Sequence, residues 1–480
     1  MLQDFDWLKT MRYSLAQGGS LLRAQPGYCL VAHHQAILMK PGRSHFLAAI
    51  LILGLVLPSP FQAEIKTIQR VDDPVVMESR VLTALLKSPL DRLALVARTG
   101  EVWAPIPFQI DEKKPDGSYA FTFGPLAGPD PDPTLDANDE LVFMVKDTGD
   151  RVEDQKWPEA AEAVMEIEVS DPKNGQKGWA YLVRFSGPAP RSQDDYIRVE
   201  TDQARNYRKV ITYEYVMGGP LNVLYPDHMS ARELPNGRPG VDVLDRLKMR
   251  GEFVLPLGLS IPLIMDEMTK SKDKGLIDGP VRVLSLAEGY LELAKHIKIK
   301  GEGYSLITYY VNHMIWPMVM ELPMARLLKI ENFHGYLDFN QNVFGSCNFS
   351  AANPYHEGVV FDGRMGEAEK KLDTETNIDW NAGFGPQGAI IHRLYFEPRQ
   401  AVSKQLHYFI DDATMKDPPE DFPGVFGAGY HLVFPEELLP QSTVYQYYYF
   451  LSRLRPEEVS RILDILDHPV EVRVKARVGP

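Results

Sequence analysis

Runs of alternating apolar and polar residues, separated by turn residues, make up most of the chain after residue 63. Ala163 to Val169 (AVMEIEV) alternates in this way, and Gly178 to Phe185 (GWAYLVRF) follows it after the turn sequence Asp171 to Gly175. Alternation places successive side chains on opposite faces, which is typical of a half-buried strand. Because few segments have the helical period of 3.6, the pattern predicts antiparallel β-sandwiches.

The stretch from Trp103 to Val145 shows the same organisation in the first half of the chain. It contains the strand candidates Ile106 to Ile110 and Glu140 to Val145, with a shorter aromatic candidate at Tyr119 to Phe123. Turn residues and an acidic loop separate these strands. We therefore interpret residues 64–205 as an N-terminal β-sandwich.

The second half contains longer strand candidates that are rich in Val, Ile, Leu and Tyr and are broken by glycine or proline. The candidates are Val281 to Leu293, Lys295 to Lys300, Tyr304 to Trp316, Met318 to Leu322, Gly335 to Phe339, Gly358 to Phe361, Gly388 to Phe396, Gln405 to Ile410 and Ser442 to Leu454. The charged run Lys270 to Lys274 (KSKDK) is interpreted as a solvated segment. Several connecting loops are long, and long loops on a rigid sheet commonly carry function.

The end of the chain gives the clearest helix. In Arg455 to Leu466 (RPEEVSRILDIL), Pro456 suits the first turn and apolar residues recur at helical spacing. His468-Pro469 ends this helix, and Val470 to Val478 alternates as a last strand. The prediction is a mainly β protein of two antiparallel sandwiches, with residues 206–480 forming the larger one.

An apolar run of 12 residues, Phe46 to Leu57, follows basic residues near the N-terminus. At about 1.5 Å per residue it is shorter than a bilayer span, and the small residue Ala63 stands at a plausible cleavage point. Residues 39–63 are therefore predicted to be a secretory signal peptide, and residues 1–38 an upstream over-extension of the reading frame. An uncleaved N-terminal anchor is the alternative. The expectation is a protein that is exported to the periplasm or the extracellular space and keeps no membrane span after cleavage.

Charge and cysteine content narrow the classes of partner and cofactor. The chain has a net charge of −14, and residues 1–63 carry five Lys/Arg and two Asp, so the remainder carries −17. A surface this acidic disfavours nucleic acid as a partner. Cys29 precedes the predicted signal and leaves only Cys347, so no intrachain disulfide is expected. The chain lacks Cys-x-x-Cys-His, and GFGPQGA lacks the Gly-Lys-Ser/Thr ending of a phosphate loop, so neither c-type haem nor a nucleotide is expected.

Two sets of strand motifs resemble known groups of proteins. DGPVRVL (Asp278 to Leu284), followed by YYVNHMI (Tyr309 to Ile315), is similar to a pattern in the supersandwich domains of galactose mutarotases and polysaccharide lyases. VWAPIPFQIDE, LDANDELVFMV and GWAYLV resemble segments of uncharacterised exported bacterial β-sandwich proteins. The resemblance implies a large second sandwich and a glycan partner. It supplies no catalytic group, because a fold does not by itself transfer function.

The loop from Asp130 to Glu140 concentrates five acidic residues and an asparagine in eleven positions. Calcium takes about six to eight oxygen ligands, which closely spaced carboxylates on a bent loop can supply. The candidate Ca²⁺ ligands are Asp130, Asp132, Asp136, Asn138 and Asp139. Leu135 and Leu141 replace the glycine and glutamate of an EF-hand, and the alternative is a solvated acidic turn that caps the next strand.

His313 is close in sequence to tyrosines, a combination that can supply general acid/base catalysis. Alternation along the predicted strand places Tyr309 on the same face as His313 and Tyr310 on the other. A lyase that abstracts a proton beside a uronate carboxylate needs such a base and a group that neutralises the carboxylate. The candidate catalytic residues are His313, Tyr309, His334 and Arg393. The alternative is that these residues fill a wide sheet interface.

Candidate substrate-binding residues lie at strand ends or in long loops, where an indole can stack on a sugar and polar groups can bond to it. These residues are Asp338, Arg364, Trp380 and His392. Two hypotheses follow. The first is that the protein is exported and interacts with glycans, and a polysaccharide lyase would be one such protein. The other is a non-catalytic envelope protein that binds a sugar or a protein partner, and the lack of Gly-x-Ser-x-Gly and His-Glu-x-x-His motifs favours it.

Overall fold

The computed structural model describes residues 64–152, 157–294, 297–322 and 325–477. Within these ranges the fold is mainly β, the sheets are antiparallel, and a short helix precedes the last strand, which confirms the predicted fold class. The predicted signal peptide at 39–63 and the segment 1–38 lie outside the described residues. Among the residues that are described, none of the helices has the length and apolar character needed to cross a bilayer.

The elements follow in chain order. The first strands are β1 (Pro74–Glu78), β2 (Leu93–Thr99), β3 (Val102–Pro105), β4 (Phe108–Asp111), β5 (Glu140–Met144), β6 (Ala161–Ser170), β7 (Lys177–Phe185), β8 (Ile197–Asp202), β9 (Tyr207–Thr212), β10 (Tyr215–Pro220), β11 (His228–Ala231), β12 (Leu244–Val254) and β13 (Ser260–Ile264). Helix α1 (Met265–Met268) leads to β14 (Thr269–Asp278), β15 (Arg282–Ala294), β16 (Ile297–Tyr310), β17 (His313–Glu321), β18 (Lys329–Phe339), β19 (Cys347–Ser350), β20 (Trp380–Gly385), β21 (Gly388–Glu397), β22 (Lys404–Asp412), β23 (Val425–Val433) and β24 (Gln441–Leu451). Helix α2 (Val459–Asp467) and β25 (Glu471–Arg477) end the series.

The chain divides into two compact units, and the first is a small sandwich. It holds the described residues up to Ser118, Pro131–Gln193 and those from Asp464 onward. A three-stranded sheet, β1-β5-β4, and a five-stranded sheet, β25-β6-β7-β2-β3, enclose one apolar core. Phe143 of the smaller sheet and Ile167 of the larger one are both fully buried in that core.

The last strand lies in a different place from the one expected. Residues 206–480 were predicted to form the second sandwich, but β25 pairs with β6 of the first unit, with Val472 opposite Val169. Strand β25 itself matches the predicted Val470 to Val478, since local alternation predicts a strand but not its partner.

The second unit, Tyr119–Asp130 and Asp194–Leu463, contains three sheets. Their strand orders are β11-β10-β9-β8, β13-β12-β18-β23-β22 and β14-β15-β16-β17-β24-β21-β20-β19. Leu247 and Leu337 of the five-stranded sheet join one core with Trp316 and Tyr448 of the eight-stranded sheet. Each of these core residues alternates with a residue on the opposite face of its strand, so the five-stranded sheet has a second face that lies away from the core.

Two short segments of the second unit differ from expectation. Lys270 to Lys274, predicted to be a solvated charge run, is part of the edge strand β14; Lys272 is exposed, while Asp273 pairs with Arg208 and Lys274 with Glu288 at 2.7 Å. Charged residues are typical of edge strands, so the charge run was a strand signal as well. Tyr119 to Phe123 is not a strand, although Phe123 makes an isolated bridge to Leu276.

The predicted C-terminal helix is confirmed. Pro456–Glu458 forms a 3-10 turn that continues into α2, and the predicted Arg455 to Leu466 covers both. Val459, Ile462 and Leu466 are buried as the helical spacing predicts. Leu463 is only half-buried.

Candidate functional site

The face of the five-stranded sheet that lies away from the core carries polar and aromatic side chains. In the register of this sheet Lys248 lies opposite Tyr336, and Arg250 lies opposite His334. His334 lies opposite His431 in turn. The apolar residues between them, such as Leu247 and Leu337, belong to the core. We call this surface the polar face; its residues are Arg246, Lys248, Arg250, His334, Tyr336, Asp338, Tyr408 and His431.

Two glycines of β23 make room for one of these rings. A Cβ atom on Gly427 would lie 2.7 Å from ring atom Cδ2 of Tyr336, and one on Gly429 would lie 2.2 Å from the backbone oxygen of Gly335. The Tyr336 ring therefore lies against a strand that presents backbone in place of side chains. The close approach of this ring and of the neighbouring backbone accounts for glycine at the alternate positions 427 and 429.

Two residues of the polar face, Lys248 and Asp338, form a buried ion pair. Nζ of Lys248 is 2.7 Å from Oδ2 of Asp338, and both side chains are 0% exposed. The backbone N–H of Phe426 donates to Oδ1 of Asp338 at 2.9 Å. Burial raises the pKa of Asp338, and the charge of Lys248 opposes that rise. Asp338, predicted to bind substrate, is thus held as the partner of a lysine.

A loop between β22 and β23 contributes a carboxylate to the same cluster. The Nε–H of Arg250 donates to Oδ1 of Asp417 at 2.8 Å, and the Tyr336 hydroxyl donates to Oδ2 at 2.5 Å. Nζ of Lys248 lies 3.6 Å from Oδ2 and donates to the backbone oxygen of Asp417 at 2.6 Å. Burial alone would raise the pKa of Asp417, but the bonds from Tyr336 and Arg250 outweigh it and lower the pKa. We call Lys248, Arg250 and Tyr336 the carboxylate cradle.

A group of rings extends from the cradle toward solvent. His334 stacks on His431 at 4.6 Å between ring centres and lies 4.5 Å from Tyr408. Tyr408 is in turn 5.0 Å from Tyr336. His334, His431 and Tyr408 are half-buried, and we call them the ring platform. Burial, assisted by the charge of His431, lowers the pKa of His334 to about 4, so its imidazole is neutral at pH 7.

The arrangement predicted around His313 is wrong in one respect. The sequence predicts one strand from Tyr304 to Trp316, but β16 ends at Tyr310 and β17 begins at His313, so a hairpin separates Tyr309 from His313. His313 stacks between Tyr310 at 4.6 Å and Tyr449 at 5.1 Å instead. Val311-Asn312 turns the chain with asparagine as its one turn-favouring residue and without glycine or proline, so the sequence signal for this turn is weak.

Tyr309 and His313 also have different surroundings. His313 is 2% exposed, and its Nδ1 lies 2.8 Å from Oδ1 of Asn312. Tyr309 lines a cavity of about 80 Å³ together with Arg208 and Trp316. Of the four candidate catalytic residues, the structure brings only His334 to the polar face.

His313 should make the fold sensitive to acid. Burial lowers its pKa to about 3, whereas an unfolded histidine titrates near 6.5. Its contribution to stability is therefore complete above pH 6.5 and is lost as the pH falls toward 3, at about 1.4 kcal/mol per pH unit. Urea unfolding at pH 7, 6 and 5 should show a smaller loss of stability for His313→Phe than for the wild type. An equal loss in both proteins would contradict this assignment.

Other predicted residues lie on the eight-stranded sheet or in loops. Trp380 is opposite Arg393 in the β20–β21 pair, and Arg393 lies 2.9 Å from Asp379. His392 is buried against the ring of Tyr448 at 4.3 Å. Arg364 is exposed in a loop, so the structure does not bring the four predicted substrate-binding residues together.

Three of the four carboxylates predicted to bind calcium already have protein partners, whereas both carboxylate oxygens of Asp130 are buried without a hydrogen-bond partner among the described residues. Nζ of Lys87 bonds to Asp136 and, at 2.8 Å, to Asp132. Asp139 accepts the backbone N–H groups of Lys113 and Asp136. The amide of Asn138 donates to the backbone oxygen of Lys113. Asp130 is counted with the second unit and the other four residues with the first.

No group of three or more His, Cys, Asp or Glu side chains is placed to hold a metal ion within the ranges that the structure covers. Calcium binding by this loop stays a prediction. It would require Lys87 to release two carboxylates.

No family model matches the chain, and no curated protein matches it at a significant level. The geometry of the polar face therefore carries the functional argument.

Sequence reasoning missed most of the polar face. Arg246, Lys248 and Arg250 alternate with apolar residues within Val241 to Val254, which signals a strand with one charged face. That signal was readable, but nothing local links it to Tyr408 or Asp417, because both are more than 150 positions further along the chain.

Proposed function

We propose that this protein is exported and that the polar face of its second unit binds a glycan. The observation that carries the proposal is the half-buried ring platform of His334, His431 and Tyr408 beside the hydrogen-bonding groups of the cradle. The predicted signal peptide supports export.

A sugar ring has an apolar C–H face and a polar rim of hydroxyl groups. Flat rings complement the first, and fixed donors and acceptors complement the second. The ring platform is uncharged at pH 7, because the pKa of His334 is about 4 and burial also lowers the pKa of His431. The platform therefore offers neutral surfaces next to charged groups, as a glycan site requires.

The same groups favour binding over cleavage. A general base works best when its pKa lies near the working pH. Burial raises the pKa of Tyr336 far above its usual value, and a pKa of about 4 makes His334 a weak base. The non-catalytic hypothesis is therefore the better supported of the two, with a glycan as the bound partner.

Affinity electrophoresis through gels that contain neutral or acidic polysaccharides tests the proposal. We expect at least one polysaccharide to retard the protein, with no rise in the ultraviolet absorbance that unsaturated lyase products give. Normal mobility in every gel would overturn glycan binding. Retardation with a rise in absorbance would restore the lyase hypothesis.

A further inference from the structure

Asp417 occupies the carboxylate cradle as a ligand would. Its two oxygens accept from Arg250 on β12 and from Tyr336 on β18, with the ammonium group of Lys248 nearby. The donors stand on paired strands of one sheet, whereas Asp417 stands on a loop. The cradle is therefore the fixed partner and the carboxylate is the replaceable one.

We infer that the cradle is a binding site for the carboxylate of an acidic glycan, and that Asp417 fills it as an internal substitute. This inference rests on the proposed function and adds the substrate class and a means of regulation. The acidic glycan displaces the loop that carries Asp417, and the loop returns when the glycan leaves.

The charges of the polar face support an acidic ligand. The loop supplies two carboxylates, Asp417 to the cradle and Asp421 to Arg246 at 2.6 Å. When the loop is lifted, both Arg246 and the cradle lose an anionic partner. Arg250 keeps Asp266, and Lys248 keeps Asp338. Asp245 also interacts with Arg246 and Lys248, so a carboxylate from outside would replace the charge-assisted hydrogen bonds of the loop and would not fill a charge deficit.

The position of the cradle favours a sugar over an acidic peptide. Tyr336 bonds to Asp417 through its hydroxyl, and its ring lies 5.0 Å from Tyr408 of the ring platform. A ligand whose carboxylate replaces that of Asp417 would place its next atoms over these rings. In a uronate the carboxylate is attached directly to the sugar ring, so one residue can reach both features.

A matched pair of ligands tests the inference. Polygalacturonate oligomers and their methyl esters have the same sugar skeleton, but only the first carries free carboxylates. We expect the wild type to prefer the acid form, and Asp417→Asn to bind the acid form about tenfold more tightly, because a weaker internal ligand competes less. Glu436→Gln is the control, since Glu436 is 92% exposed and outside the polar face.

A second measurement needs no variant. Lys416 is exposed and precedes Asp417, so displacement of the loop should increase tryptic cleavage at Lys416. The acid oligomer should increase cleavage, and the methyl ester should not.

Each other outcome has a defined meaning. Equal affinity for acid and ester in wild type and Asp417→Asn would overturn the inference and leave glycan binding intact. Failure of both ligands and of every polysaccharide would overturn the proposed function itself. Binding of polyglutamate as tight as that of the acid oligomer would overturn the choice of a glycan.

Discussion

Replacement of Lys248 with methionine is expected to lower the free energy of unfolding by about 3–5 kcal/mol. Lys248 and Asp338 form an ion pair in which neither side chain is exposed. Removal of the lysine leaves the carboxylate of Asp338 buried without a counter-charge. Burial of an unpaired charge costs more free energy than the ion pair contributes to stability. Denaturant unfolding of the purified protein measures the change.

A double variant separates this explanation from a simple loss of packing. Lys248→Met combined with Asp338→Asn removes both charges and keeps an acceptor for the N–H of Phe426, so it should recover most of the lost stability. Lys329→Met is the control, because Lys329 is 56% exposed and its loss should cost less than about 0.5 kcal/mol. A double variant as unstable as Lys248→Met alone would show that the charge does not cause the loss.

Replacement of Gly429 with alanine is expected to destabilise the second unit by about 3 kcal/mol. The new Cβ would lie 2.2 Å from the backbone oxygen of Gly335 and 2.6 Å from Cα of Tyr336. Backbone atoms of a central strand cannot move aside as a flexible side chain can. Thermal and denaturant unfolding give the magnitude.

Gly335 provides the matched control for this change. It lies opposite Tyr430 in the same sheet, yet the nearest neighbour of a Cβ added there is Cγ of Met249 at 3.9 Å. Gly335→Ala should therefore change stability by less than about 1 kcal/mol. Equal losses for the two alanine variants would show that the close approach at Gly429 is not the cause.

Local pattern predicted the elements well and their partners poorly. Alternation in Val470 to Val478 predicted β25, and Pro456 with the spacing of the residues after it predicted α2. Neither signal shows that β25 joins β6, about 300 positions earlier in the chain, because strand pairing is set by tertiary packing.

The candidate site was harder to predict for the same reason. His334 was selected for its chemistry, but its neighbours in the structure come from β12, β22 and β23. Asp338, predicted to bind a sugar from a strand end or a long loop, is buried beside Lys248. Alternation identified the right strands without showing which of their faces would be covered.

The most direct test of the account is a calorimetric titration of a retarded oligosaccharide into three proteins. These proteins are the wild type, Tyr408→Ala on the ring platform and the control Tyr355→Ala. Tyr355 is exposed, and its ring lies 5.8 Å from Phe349, away from the polar face. The account predicts a dissociation constant at least about tenfold weaker for Tyr408→Ala, equivalent to about 1.4 kcal/mol, and no change for Tyr355→Ala. Equal affinity in wild type and Tyr408→Ala, or a loss only in Tyr355→Ala, would contradict the polar face as the binding site.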